Sequence, residues 1–502
     1  MPRPGKQFTS TAVGATKPEQ SKIKKILKIC VSIIAVLIIA VLSFALVSGF
    51  KNIWEVFKDS AITLVSKQIG TEMKRDEYGN VNILLLGYGG AEHDGGHLTD
   101  SIMVASRNPD IGSIAMFSIP RDLRVKYPNN VQGRINGVLY NGLRSSGNDM
   151  GLASSGFAAL VASMLDMQIP YYATINFQAF EDIVNSIGGI DIVVPETIHD
   201  TTYPNEQNRG YITFHIDAGF QHLDGETALK YARSRHSTSD FSRSLRQQLI
   251  IKGIKDKIFA SGISLALVQE LYAQYQAYVT TNVTLSEMLR TVQYMHNIGE
   301  FASFGFTTNC GYQSIARMVA ACFLYNPQRE FFGGASVILP MGANVNNIQN
   351  YTSLQKFTRF ILSNPAFIKE NPSIEVRNGI NKQLAREHKM PSTPFAGNLA
   401  VKLKRYGFKI TNTDNTPEPQ TSSYIQINTQ GTFSGTIQAI QTFLPVRDIK
   451  YDISNMMAGL DAEGNEVLFT NGADISIVLG ADYLLGSPTM SGLIQKKFSY
   501  DL

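Results

Sequence analysis

The sequence predicts a layered α/β protein: a mixed β-sheet covered by helices, a second, smaller α/β domain, and one N-terminal transmembrane helix. Three observations carry this. Between residues 80 and 350, short apolar runs that read as buried strands alternate with helix-length apolar patterns. A second strand–helix–strand set recurs between 372 and 485. Residues 29–50 run for 22 positions without a charged side chain.

That run is long enough, at 1.5 Å per helical residue, to cross a hydrocarbon core of ~30 Å. Residues 1–28 are a basic tail, with seven Lys/Arg against the single acid Glu19. Lys22, Lys24, Lys25 and Lys28 stand directly before Ile29, so the positive-inside rule puts the tail in the cytoplasm and residues 51–502 outside. A cleaved signal peptide is the competing reading. The run is longer than a usual signal core and no small-x-small site follows it, which favours an uncleaved, single-pass anchor in the cell membrane. Residues 51–79 form a stem, helical from about Trp54 to Lys74.

The ectodomain elements follow in order. Val81–Gly87, Ser101–Ala105 and Ile114–Ile119 read as strands, and Gly151–Met167 as an Ala-rich helix. Ala173–Phe177 is a strand, Phe180–Ser186 a short helix closed by Gly188 and Gly189, and Ile190–Val194 a strand stopped by Pro195. Asp224 is placed to cap a helix running to Ala232, and a long helix spans Phe241–Phe259. Phe301–Phe306 and Ser336–Leu339 are further strands. The smaller domain opens with Ser373–Gly379. Its helix Ala396–Tyr406 ends on Gly407, Thr411–Ser423 reads as a loop, and Tyr424–Ile427 and Ile475–Leu479 read as strands.

Composition excludes several classes. With 44% hydrophobic and 17% charged residues the chain has apolar material for sizeable cores. Three cysteines exclude a disulfide-stapled scaffold and a multi-cysteine zinc module. Beyond the tail the chain is slightly acidic, which argues against a general nucleic-acid coat. Cys30 lies in the apolar run. Cys310 and Cys322 either pair or remain as two buried thiols.

The chemistry-bearing residues cluster between 87 and 247. The turn Gly87–Gly96 follows a strand and lets backbone approach an anion, but it lacks the Gly-Lys-Ser/Thr of a P-loop. It carries His93, Asp94 and His97, with Asp100 close behind. Asp94 and Asp100 are hard oxygen ligands suited to Mg²⁺, and for Asp100 a strand-entry turn is the ordinary alternative. The histidines lack the helix that gives i, i+4 spacing its meaning as a metal site. Ser118-Ile-Pro-Arg121-Asp122 ends a strand, where ligands of open α/β sheets tend to sit, and a local Arg–Asp pair is the alternative there. Arg233 and Arg235 lie two apart on an extended segment and so share a side. Arg243, Arg246 and Gln247 lie three and four apart near a helix start and so share a face. Guanidinium forks gathered at a helix start suit a polyanion such as a pyrophosphate.

Together these features resemble the LytR-CpsA-Psr family of bacterial envelope proteins. The resemblance rests on the anchor, Asn82–Gly87, Thr99–Val104, Ser118–Asp122 with Arg134-Ile-Asn136, Gly188–Ile192 and the arginine-rich segment Leu223–Gln247. It is close over about residues 80–260, which puts an LCP domain at 80–350. More loosely, Glu375–Gly379 and Val478–Tyr483 resemble a LytR C-terminal domain at 372–485. The family resemblance implies a phosphotransferase that moves a glycopolymer from a polyprenyl-pyrophosphate carrier onto peptidoglycan with Mg²⁺. It implies that Arg121, Arg233, Arg235, Arg243 and Arg246 hold the pyrophosphate, that Gln247 supports the head group and that Asp100 holds the metal. Gly89 stands where the family usually has Asp, so Asp94 is the candidate second ligand. Asp122 is a candidate acceptor for the hydroxyl proton. Gly156–Val161 and Ile175–Phe177 either line a lipid pocket or are plain core.

Two other readings use the same residues: a metal-dependent hydrolase of polyprenyl-pyrophosphate glycans, with water as acceptor, and a non-catalytic envelope regulator or scaffold. The C-terminal domain carries none of the assigned arginines and carboxylates, so it is expected to be dispensable for the chemistry.

Overall fold

The computed structural model describes residues 71–90, 96–205, 210–234, 240–260, 279–284, 286–288, 290, 301–308, 311–313, 318–381, 383, 386, 394–454, 456–460, 466–470 and 472–485. The chain divides into two compact units, Met1–Leu64 and Val65–Leu502, and every described residue belongs to the second. The basic tail, the 29–50 run, Cys30, most of the stem, Asp94, Arg235 and Cys310 lie outside the described residues. Among the described residues no helix is long and apolar enough to cross a membrane.

Thr71–Lys74, expected as the end of a helical stem, is not helical. Its backbone donors go to tertiary partners instead: Thr71 N–H to the Ser286 carbonyl at 3.1 Å and Lys74 N–H to the Tyr171 hydroxyl at 2.9 Å. Strands β1 (Val81–Tyr88), β2 (Thr99–Asn108) and β3 (Ser113–Ser118) then pair antiparallel in sequence order. A ribbon of β4 (Arg124–Lys126) and β5 (Gln132–Arg134) leads to helices Val138–Ser145 and Met150–Leu165. Asp149 caps the second helix through the Leu152 N–H at 2.9 Å. Strand β6 (Tyr171–Asn176) returns parallel to β1.

Next come helix Phe177–Ser186, β7 (Ile190–Val194), a hairpin of β8 (Ile198–Pro204) and β9 (Tyr211–Ile216), and β10 (Gly219–Leu223), which pairs with β7. Helices Gly225–Arg233 and Asp240–Ala260 follow, the first capped by Asp224 through the Thr227 N–H at 2.8 Å. Strands β11 (Val279–Thr281), β12 (Phe301–Phe306), β13 (Gly311–Gln313) and β14 (Met318–Ala321) complete a mixed sheet in the order β11-β6-β1-β2-β3-β12-β14-β13. The mixed sheet covered by helices matches the fold class expected from the sequence.

Register decides what each face of this sheet does. Leu85 and Gly87 lie opposite Met103 and Ser101 on β2, and opposite Ala173 and Ile175 on β6. Alternate residues share a face, so these six make one surface. Leu84, Leu86, Ile102 and Val104 face the other way into the main core beside helix Met150–Leu165. Phe157, Ala158 and Val161 belong to that core while Gly156 and Ala159 are exposed, and of the two expected segments the Ile175–Phe177 one faces the cavity described below. A second, smaller core joins Ile190, Ile192, Tyr203, Phe214, Tyr231 and Ile250.

The remaining strands are β15 (Leu324–Tyr325), β16 (Leu339–Pro340), β17 (Ser373–Asn378), β18 (Lys409–Asn415), β19 (Tyr424–Ile427), β20 (Ile449–Tyr451), β21 (Met456–Leu460), β22 (Glu466–Thr470) and β23 (Ile475–Leu479). A second sheet runs β18-β17-β23-β19-β20. Thr411–Asn415, expected as loop, is strand. It is polar because β18 is an edge, pairing with β17 alone and leaving most of its side chains exposed.

Residues 351–371, between the two expected domains, form helices Thr352–Leu362 and Pro365–Glu370 that join the sheets. Phe357, fully buried, meets Phe117, Phe304 and Phe306 edge to face and Phe323 and Tyr406 at a tilt. Phe360 meets Tyr406, Phe408 and Phe443. One apolar core therefore runs continuously from β1 to β23. Gly407, at φ +95°, closes helix Phe395–Arg405 so near this seam that a Cβ would sit 2.8 Å from Phe304. Cys322, also at the seam, is disulfide-bonded and accepts a hydrogen bond from Arg405 Nε at 3.3 Å.

Candidate active site

Between the two cores lies a cavity of about 820 Å³. Its floor is the β1/β2/β6 face of Leu85, Gly87, Met103, Ala173 and Ile175, and its roof is apolar side chains of the helices, among them Phe177, Phe180, Ile250 and Ile254. Gly87 leaves room beside Ser101, where a Cβ would approach to 3.2 Å. The polar lining includes Arg121, Arg233, Arg243, Gln247, Asp100 and Asp200. Three guanidiniums against two carboxylates give the lining a positive balance among the described residues.

Each guanidinium arrives from a different element. Arg121 lies just past the carboxyl end of β3, and its Nη1 donates to Asp100 Oδ1 at 2.6 Å. Asp100 comes from the second residue of β2, so two adjacent strands meet at this pair. Arg233 ends helix Gly225–Arg233, donates to the Tyr203 hydroxyl at 3.2 Å and lies 4.2 Å over the Phe177 ring. That cation–π stacking fixes the plane of the fork. Arg243 and Gln247 are one turn apart on helix Asp240–Ala260, and Gln247 Oε1 accepts from the Ser101 hydroxyl at 3.2 Å. Beside it, the fully buried Gln248 ties the helix to Ser118 at 3.1 Å.

Four expected residues stand elsewhere or outside the described residues. Arg246 does not face the cavity. It is 3% exposed, and its guanidinium is given to the backbone carbonyls of Tyr231 (2.9 Å) and Ser234. At about 100° per residue it sits roughly 60° to one side of Arg243 while Gln247 sits about 40° to the other. A shared helix face is wide enough to split between a cavity and a neighbouring helix. Burial draws its pKa down, and the residue acts as a strut between the two helices that carry Arg233 and Arg243. Asp122 is not among the residues that line the cavity. It sits with Arg121 in a turn closed by the Leu123 N–H on the Pro120 carbonyl at 3.0 Å, and its carboxylate lies 3.3 Å from Arg134 and 3.8 Å from Arg121 Nε. Asp94 and Arg235 are not among the described residues.

Two contributors were missed by the sequence. Asp200, 1% exposed, accepts from the Ser234 hydroxyl at 2.8 Å and the Thr202 N–H at 3.0 Å, and faces the cavity. Tyr203 holds Arg233. Both come from the β8–β9 hairpin, whose one signal was a polar residue at an inward position of an alternating run, Ile198-His-Asp-Thr-Thr-Tyr203. Asn136, part of the Arg134-Ile-Asn136 motif, accepts from the Thr99 hydroxyl at 3.2 Å and donates its N–H to the Arg121 carbonyl at 3.2 Å, bracing the Asp100–Arg121 corner.

Comparison with known proteins bears on this site. The model of the LytR_cpsA_psr (LytR-CpsA-Psr) family matches residues 55–316. The Bacillus cereus AH820 protein named polyisoprenyl-teichoic acid–peptidoglycan teichoic acid transferase TagU is 31% identical over 264 residues, 50% of this chain and 79% of that one. The Bacillus subtilis 168 protein of the same naming, TagV, is 31% identical over 200 residues, 39% of this chain, and the match spans about half of it, 47%. Among solved structures, B. subtilis TagV overlaps 56% of this chain and 97% of its own at 23% identity and TM-score 0.41. TagT bound to LIIa-WTA overlaps 59% and 98% at 20% identity, also with TM-score 0.41. With its family match spanning just over half of the 502 residues, across every cavity-lining element from β1 to helix Asp240–Ala260, the chain belongs to the LytR-CpsA-Psr family.

Proposed function

We propose that this chain is a glycopolymer–peptidoglycan phosphotransferase of cell-wall assembly, acting on a polyprenyl-pyrophosphate-linked glycan. One observation carries the reading: a single cavity lined both by three arginines and by an apolar floor and roof. That combination matches an amphiphile with a pyrophosphate head and a polyprenyl chain. The names of the TagU and TagV relatives support the same substrate class and acceptor.

In this reading Arg121, Arg233 and Arg243 hold the pyrophosphate oxygens through charge-assisted forks. Gln247 steadies the head group, and the apolar walls take the prenyl chain and exclude water. The acceptor hydroxyl oxygen bonds to the glycan-bearing phosphorus, the bridging P–O bond to the carrier breaks, and the hydroxyl proton passes to the departing polyprenyl phosphate. Guanidiniums already in place where charge develops on the phosphoryl oxygens are the main source of acceleration.

Mg²⁺ is the cofactor expected from the sequence. Among the described residues no three His, Cys, Asp or Glu side chains converge as a metal cage. Mg²⁺ is commonly held by one or two carboxylates together with substrate phosphates, so a cavity-facing Asp100 beside a bound pyrophosphate fits it. The ion would supply neutralisation of phosphoryl charge. The anchor at 29–50, with the body outside the cytoplasm, would tether the chain to the membrane in which a prenyl carrier resides. The second sheet, with Glu375–Gly379 on β17 and Val478–Tyr483 leaving β23, is read as a LytR C-terminal domain.

The test is product analysis with purified protein, a polyprenyl-pyrophosphate glycan and Mg²⁺, with and without peptidoglycan. Glycan joined to peptidoglycan through a phosphodiester is the expected product. Free glycan phosphate formed equally well in both conditions would instead identify a hydrolase.

A further inference from the structure

We propose that the outer face of the β8–β9 hairpin is a binding site for a divalent transition-metal ion of the Zn²⁺, Ni²⁺ and Cu²⁺ class, ligated by His199 and His215. The proposal is independent of the pyrophosphate cavity. Strand register places the two residues directly opposite each other, so their side chains stand side by side on one face. Their Nδ1 atoms are 3.4 Å apart, with ring centroids 5.5 Å apart and planes tilted by 67°.

The separation is long for a hydrogen bond, whose usual N···acceptor distance is about 2.9–3.0 Å. It suits a shared ion: two ligands with bonds of ~2.0–2.1 Å at a tetrahedral metal lie roughly 3.3–3.4 Å apart. A second contact points the same way. His215 Nε2 lies 3.1 Å from Asp217 Oδ1, a contact that favours the tautomer whose Nε2–H donates to the carboxylate and whose Nδ1 lone pair is left for a metal. This is the carboxylate–histidine arrangement that orients metal-bound imidazole. Both histidines are exposed, so water completes the coordination. Two imidazole nitrogens select borderline transition metals and offer little to Mg²⁺.

The ion would staple the two strands on their outer face. The inner face of the same hairpin carries Asp200, which lines the cavity, and Tyr203, whose hydroxyl accepts from Arg233. The metal site thus backs one side of the clamp.

The test is calorimetric titration of ZnCl₂ into the untagged full chain in buffer saturated with Mg²⁺. One Zn²⁺ per chain is expected, with Cu²⁺ binding tighter still. His199→Gln and His215→Gln should each lose at least about tenfold in affinity, as should Asp217→Asn, since outer-shell partners are typically worth 10–100-fold. His222→Gln, whose imidazole has its own partner in Asp191 at 2.6 Å, should bind as the parent does. No binding to the parent, or equal binding by both His199→Gln and His215→Gln, overturns the proposal. Should a variant lose its circular dichroism spectrum, Cu²⁺ electron paramagnetic resonance on the unaltered chain decides. Coupling to two imidazole nitrogens supports the site, and coupling to one or none overturns it.

Discussion

Ending the chain at Asn371 should destroy the fold of the part that remains, although every assigned arginine and carboxylate lies in that part. The reason is the aromatic seam. Phe323, Phe357, Phe360 and Phe367 lie before the cut, and their partners Tyr406, Phe408 and Phe443 lie after it. Exposing a buried Phe costs about 1.5–3 kcal/mol. Four partly uncovered rings, with Ile374, Val376 and Leu403 removed from the same core, put the loss on the order of 5–10 kcal/mol. That is comparable to the whole stability of a typical protein, about 5–15 kcal/mol. The assay is soluble expression followed by near-UV circular dichroism, dye binding to exposed apolar surface and chemical unfolding. The expected result is aggregation, or a dye-binding species without a cooperative transition. In the full chain, Phe357→Ala alone should cost about 3–5 kcal/mol. A soluble, dye-silent 1–371 chain that unfolds cooperatively near the parent's midpoint would refute the shared-core argument and restore the dispensability expected from sequence.

Gly407→Ala should destabilise by more than about 1 kcal/mol, because φ is +95° and the new Cβ meets Phe304 at 2.8 Å; denaturant midpoints check it. Tyr231→Phe should be neutral or stabilising by up to about 1 kcal/mol, because its buried hydroxyl has no hydrogen-bond partner among the described residues, and burial already drives its pKa up to about 12. Asp224 has its carboxyl held below the usual range by the Thr227 N–H it caps. A carboxylate with a lowered folded pKa stabilises above its unfolded value, near 3.9, and loses that contribution as pH falls through the folded value. The stability gap between parent and Asp224→Ala, about 1 kcal/mol at pH 7, should therefore narrow below about pH 4; unfolding series at several pH values measure it.

Much of the architecture was legible because it rests on local pattern. The runs at Val81, Ser101 and Ile114 became β1, β2 and β3, and Asp224 caps the helix it was placed to cap. Arg121, Arg233, Arg243, Gln247 and Asp100 converge on one cavity. What the sequence hid depends on long-range packing. Arg246 shares the spacing of its neighbours but turns toward backbone carbonyls of the preceding helix. Asp122 sits beside Arg121 in the turn after β3, where its carboxylate meets Arg134 and it does not line the cavity. Thr411–Asn415 looks like loop because an edge strand leaves polar residues exposed. Asp200 and the His199–His215 pair appear only once the β8–β9 register is known. The seam at Phe357 joins residues too distant in sequence for any local pattern to announce.

The central claim is that the three cavity guanidiniums grip a pyrophosphate, and the most direct measurement is the transfer rate of Arg233→Lys and Arg243→Lys from a polyprenyl-pyrophosphate glycan to peptidoglycan, with circular dichroism as the folding control. Lysine keeps the charge but loses the planar fork and, at Arg233, the stacking on Phe177. Each change should lower the rate by about 10²–10³ with the fold intact. Rates near the parent's in both variants would show that these arginines are a structural network and that the pyrophosphate is bound elsewhere.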